Sequence, residues 1–199
     1  MKSLILILIS FSCLTSIKNI KRPAFSKQLT CILVSDKAIY KIGDLPKLKV
    51  EISNIGKRDI YLIGSLDGSN VRGRFPYCCY SVGKPKADEI LLGGCGNMNT
   101  LRIEDFMLVK KGQKFNPYKN FDNHKFFNDY TITNFETFKN PGLYKIKFHY
   151  STNSQNLIDF WGDKGLTYSE SDSLKIASLF NQVPKVDIES NEIEIRFEN

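Results

Sequence analysis

Histidine is scarce in this chain: His124 and His149 are the only two. Neither stands at ligand spacing from a cysteine. The adjacent Cys78 and Cys79 lack the gap of roughly two to four residues with which two thiolates grip one tetrahedral ion. No metal site is expected, and no cofactor. The glycine-rich run Gly93-Gly94-Cys95-Gly96-Asn97 is not followed by a Lys-Ser/Thr pair, and no βα unit surrounds it. A phosphate-cradling loop is therefore excluded, and a tight turn or wide loop between strands is expected. A basic stripe interleaved with aromatics is missing as well, which excludes nucleic acid as a partner. There is no second long apolar run, internal repeat or low-complexity linker. Beyond its N-terminal leader the chain reads as one domain of ordinary size.

The leader itself is short. MKSLILILISFSC has a lysine at position 2 and an apolar run from Leu4 to Phe11 broken only by Ser10. A bilayer span takes roughly 20 apolar residues, so this run fits the central region of an export signal instead. Residues 1–13 are read as a signal peptide. Ser10-Phe11-Ser12-Cys13 resembles a lipoprotein signal, with Cys13 as the lipidated residue. Cleavage near Thr15 or Ser16, giving a secreted or periplasmic protein, is the other reading. Residues 14–28 then form a flexible tether that carries Lys18, Lys21, Arg22 and Lys27 and no acid. Loss of Lys2 takes the net charge from +7 to +6. Four of those charges lie in the tether, where they suit anionic lipid headgroups, and the domain at 29–199 is only mildly basic.

From Leu29 onward the hydrophobic pattern has period two. Leu29 to Ser35 is an apolar run of strand length, and Leu48, Val50 and Ile52 alternate with Lys49, Glu51 and Ser53. Asn54-Ile55-Gly56-Lys57 reads as a turn before a strand from Asp59 to Leu66. Tyr144, Ile146, Phe148 and Tyr150 alternate with Lys145, Lys147 and His149. Glu189 to Phe197 reads as one closing strand. Many short strands separated by turn signals predict an all-β sandwich. One short helix is predicted over residues 171–180, with Leu174, Ala177 and Leu179 near helical spacing and Ser171 or Ser173 as its cap.

Ala38-Ile39-Tyr40-Lys41-Ile42-Gly43-Asp44, with the strand from Leu48 to Asn54 after it, resembles the opening of exported bacterial immunoglobulin-like domains. BsuPI-type inhibitor domains and CARDB-like adhesion modules share that opening. Asn140-Pro141-Gly142-Leu143-Tyr144 is similar to the turn that precedes strand F, whose tyrosine bonds back to the main chain. Ile146 stands where the inter-sheet cysteine would be. The resemblance spans most of residues 29–199 and implies an immunoglobulin-like β-sandwich, with no catalytic residues carried over.

The domain retains Cys31, Cys78, Cys79 and Cys95. An oxidising compartment favours disulfides. A vicinal ring between Cys78 and Cys79 is strained, and an extended Tyr77–Val82 places these two on opposite faces. Pairing of Cys95 with one of the doublet would contribute about 3 kcal/mol in the chain-entropy model. Cys31 is left to take the other, or both remain buried thiols. Cys95 with His124 as base would make a thiol enzyme, but no catalytic set is assembled in the sequence and no catalytic residue is assigned. Asp159-Phe160-Trp161-Gly162-Asp163 contains the only tryptophan. Trp161, Asp159 and Asp163 either offer an aromatic anchor with flanking charge or, for Trp161, cap the core. Asp159, Asp163, Glu170 and Asp172 do not have calcium-loop spacing. Phe115 to Phe138 is dense in aromatics, lining a groove or pinning an irregular connection to the core. The expectation is a non-enzymatic exported or lipid-anchored cell-envelope module that binds a protein or glycan. A secreted BsuPI-like protease inhibitor is the alternative, and a thiol or metal hydrolase stands third.

Overall fold

The computed structural model describes residues 28–66, 68–69, 73–84, 87–90, 100–118, 135–162 and 168–199, with backbone alone at 84, 87–90 and 135–136. The proposed leader, Cys13 and nearly all of the tether lie outside these residues. The strands are β1 (Leu29–Ser35), β2 (Ile39–Lys41), β3 (Leu48–Asn54), β4 (Ile60–Ile63), β5 (Tyr77–Lys84), β6 (Ala87–Ile90), β7 (Phe106–Val109), β8 (Lys114–Phe115), β9 (Gly142–Ser151), β10 (Asp187–Glu189) and β11 (Ile193–Glu198). Among the described residues there is one α-helix, α1 (Glu170–Phe180).

Strand order explains how the faces are used. β1, β3 and β8 form a three-stranded sheet, and β4 pairs with β7. A larger sheet runs β2-β11-β9-β5-β6, with β10 also on β9. β9 is its backbone: β5 pairs along nearly its whole length, while the opposite edge is shared by β11 and then β10. The apolar faces of these sheets meet in one core. Leu33, Val50 and Ile52 come from the small sheet, and Val82, Ile146, Phe148 and Ile195 from the large one. The period-two pattern therefore puts the expected residues inward in β1, β3 and β9.

The expected single closing strand is divided. Ser190 donates its backbone N–H to the Phe148 carbonyl, and its hydroxyl accepts from the Phe148 N–H at 2.9 Å. Next to it, the Asn191 side chain turns towards β1, accepting from the Leu33 N–H at 2.9 Å and donating to the Leu33 carbonyl at 3.0 Å. One side-chain amide thus satisfies main-chain groups of an edge strand that would otherwise remain open to pairing. Side chains replace ladder bonds at Ser190–Asn191, so β10 and β11 are separate.

α1 begins one residue earlier than predicted. Its cap is Ser169, whose hydroxyl accepts from the Asp172 N–H at 3.1 Å, in place of Ser171 or Ser173. The buried helix residues are Ile176 and Phe180, while Leu174 is exposed. Ile176 and Phe180 are four apart and share one helix face. They pack into a second cluster with Ile63, Leu66, Leu101, Phe106 and Phe160. This cluster sits at the β4–β7 pair. It is joined to the main core through Tyr150, whose buried hydroxyl donates to the Ile63 carbonyl at 2.9 Å.

Candidate functional site

The sequence singled out Trp161 and Asp159 first. Trp161 is partly buried against the second cluster, with its ring 5.7 Å from that of Tyr168. The Asp159 carboxylate accepts from the Ser154 hydroxyl, and its carbonyl accepts from the Phe75 N–H at 2.9 Å. Asp163 lies outside the described residues. Glu170 and Asp172 stand in the first turn of α1, where acids suit the helix dipole. Among the described residues no group of three or more His, Cys, Asp or Glu side chains is placed to hold a metal ion.

The aromatic stretch pins the chain where it is described. Phe115 is buried in the core, Tyr118 stacks on Tyr80 at 6.3 Å, and Phe138 stacks on Phe197 at 4.7 Å. The rings between Tyr118 and Phe135 lie outside the described residues, as do His124, the Gly93–Asn97 run and Cys95.

The cysteines divide as alternation requires. Cys78 is part of the main core, whereas Cys79 faces outward and still is only 3% exposed. Cys31 is a free thiol buried in β1, and desolvation pushes its pKa up to about 12, far from a reactive thiolate. No disulfide joins Cys31, Cys78 and Cys79 to one another. The pairing of Cys31 with one of the doublet is thus not formed. Cys31 belongs to the three-stranded sheet and the doublet to the six-stranded one.

Cys79 faces a pocket of about 490 Å³ on the outer surface of the six-stranded sheet. Most of its lining comes from alternate residues of three neighbouring strands, Tyr77, Cys79 and Ser81 on β5, His149 and Ser151 on β9, and Asp187 and Glu189 on β10, with Tyr150 and Ile188 between them. The size falls within the range of roughly 300–1,000 Å³ typical of ligand sites. Register brings these side chains together, since Cys79 lies opposite His149 on one side and Glu189 lies opposite it on the other.

Three of the side chains form a relay. The Ser81 hydroxyl is 2.9 Å from His149 Nε2, and His149 Nδ1 is 3.3 Å from the Glu189 carboxylate. A carboxylate only accepts hydrogen bonds. In the Nδ1–H tautomer of the neutral imidazole, Nδ1 faces the carboxylate and Nε2 accepts from Ser81. The His149 side chain is 28% exposed and Glu189 60%, so the relay opens to solvent at its acidic end. Beside it, Asp187 accepts from both the Ser151 hydroxyl and the Asn153 amide.

The main chain around Ser81 is already committed. The Cys78 N–H donates to the Ser69 carbonyl at 2.7 Å, away from β9. Polar groups of successive strand residues point to opposite sides, so the N–H groups of Cys79 and Ser81 point into the β9 ladder. Lys147, opposite Ser81 in the register, is half-buried on the same outer face and is the nearest basic residue in the ladder.

Comparison with known protein families, with characterised proteins and with solved structures finds no match to this chain. The site therefore rests on its geometry.

Proposed function

We propose that the chain is an exported or lipid-anchored cell-envelope protein whose immunoglobulin-like domain binds a protein or glycan partner. The pocket on the outer face of the six-stranded sheet is its contact surface. The strand arrangement supports the immunoglobulin-like reading. β1 pairs with β3, and between the two the chain crosses to the other sheet, where β2 runs parallel to the last strand, β11. β5, β9 and β11 are consecutive neighbours in the other sheet. The Tyr144 hydroxyl donates to the Asn140 carbonyl at 2.9 Å, the bond that ties the start of strand F to the preceding turn in such domains. The leader MKSLILILISFSC supports export.

The pocket carries the binding reading. It combines a tyrosine wall, a polar floor and a carboxylate rim on a regular sheet, so the groups are held by ladder bonds and not by a loop. Its rim acids stand out against a basic chain with a net charge of +7. Immobilised domain should capture a partner from the envelope fraction of the source cell. Tyr77→Ala combined with Glu189→Lys should reduce that capture at least tenfold. Capture that is unchanged by both substitutions would move the contact surface elsewhere.

A further inference from the structure

We propose that Ser81 is an acylable nucleophile, activated by His149 and Glu189, and that the pocket therefore has reactivity towards activated acyl esters beyond simple binding. Three requirements of a serine nucleophile are met on one sheet face. The hydroxyl is within hydrogen-bonding distance of an imidazole nitrogen, at 2.9 Å. The other imidazole nitrogen faces a carboxylate at 3.3 Å, which fixes the tautomer that leaves Nε2 free to take a proton. All three side chains line one pocket, which leaves space above Ser81 for a small acyl group. Such a sequence of nucleophile, base and orienting acid is recognised by its geometry on unrelated folds.

The step is an acyl transfer. Ser81 Oγ forms a bond to the ester carbonyl carbon while its proton passes to His149 Nε2. The ester C–O bond then breaks, and the imidazolium returns that proton to the departing oxygen. Water reverses the sequence through the same base, releasing the acid and restoring Ser81. Glu189 is a positioning residue throughout, holding the imidazole and compensating its charge.

The surroundings narrow the substrate class. The N–H groups of Cys79 and Ser81 point into the ladder and do not form an oxyanion hole. One oxyanion donor is worth on the order of 10²–10³ in rate. No lysine or arginine is among the residues lining the pocket to take up charge on the tetrahedral intermediate. Amides are therefore out of reach. Esters with good leaving groups and a small acyl chain are the class that fits.

The test uses the full exported chain, a fluorophosphonate probe and p-nitrophenyl acetate. Phosphonylation forms a bond between Ser81 Oγ and phosphorus with loss of fluoride, so peptide mapping should place a single adduct on Ser81. Ser81→Ala should abolish the adduct. His149→Gln should slow labelling and ester hydrolysis at least tenfold while leaving the thermal midpoint unchanged. Glu189→Gln should alter the pH profile of labelling, a readout that a merely structural side chain would not move. Absence of an adduct, or an adduct that persists in Ser81→Ala, overturns the proposal. Partner capture is read separately and is unaffected by either result.

Discussion

Asn54→Asp, an isosteric change, should lower the unfolding free energy by about 4 kcal/mol. Asn54 ends β3 and is completely buried. Its side-chain amide donates to the Arg58 carbonyl at 2.9 Å and to the Val109 carbonyl at 3.0 Å, and its side-chain oxygen accepts from the Gly56 N–H at 3.0 Å. One residue thus joins the β3–β4 turn to the end of β7. The main chain of Asn54 holds the next turn as well, bonding to Gln113 and Gly112. An aspartate keeps the acceptor and loses both donors. It leaves two carbonyls without this partner and adds a buried charge. Denaturant midpoints of the two proteins measure the difference. A loss below about 1 kcal/mol, the worth of a single ordinary hydrogen bond, would show that Asn54 is not the hub described.

Asp105→Asn should act in the opposite direction, stabilising the domain by about 3 kcal/mol at neutral pH. Asp105 is only 9% exposed, at the end of a 3-10 turn (Ile103–Asp105), and burial pushes its carboxyl up from the ordinary 3.8 to about 6. A bond from the Arg102 N–H at 2.7 Å and the nearby Arg74 and Arg102 charges favour the carboxylate, but desolvation is larger. Because the folded protein holds this proton more tightly than the unfolded chain, the contribution of Asp105 is greatest below the unfolded pKa. It is lost as pH rises through about 6. Asparagine retains an acceptor for the Arg102 N–H and has no charge to desolvate. Unfolding curves at several pH values should show the wild type losing ground to the variant between about pH 4 and pH 6. Parallel pH profiles would contradict the assignment.

Much of the framework was legible in the sequence, because a sheet with one buried face writes period two into the chain. β1 and the inward residues of β3 and β9 follow directly from it. So does the separation of Cys78 from Cys79, which needed only an extended backbone at Tyr77–Val82. Helical phase was harder to read. Leu174 looked like a core residue, but Ile176 and Phe180 match the position of Phe160 and Leu101, and the cap moved to Ser169. The division of the last strand was hidden too, since Ser190 and Asn191 substitute for ladder bonds without disturbing the apolar pattern.

The candidate site was the least legible part. Ser81 and His149 are 68 residues apart and meet only because β5 and β9 pair in one particular register. A shift of one residue would send each side chain to the other face. The available signal was weak but real: His149 lies on the outward face with Lys145 and Lys147, and Ser81 on the outward face with Tyr77 and Cys79. Alternation fixed each face, and pairing those two strands would have exposed the relay. Trp161 and Asp159 attracted attention by residue type; Trp161 packs partly against the second cluster, and the Asp159 carboxylate accepts from Ser154.

The relay on the outer sheet face is most directly tested by the nitrogen-15 chemical shifts of the His149 imidazole in the full chain. The geometry predicts the Nδ1–H tautomer, with Nε2 unprotonated and accepting from Ser81, and this preference should weaken in Glu189→Gln. A ring protonated on Nε2 in the wild type would contradict the account, because Ser81 would then have no base to give its proton to.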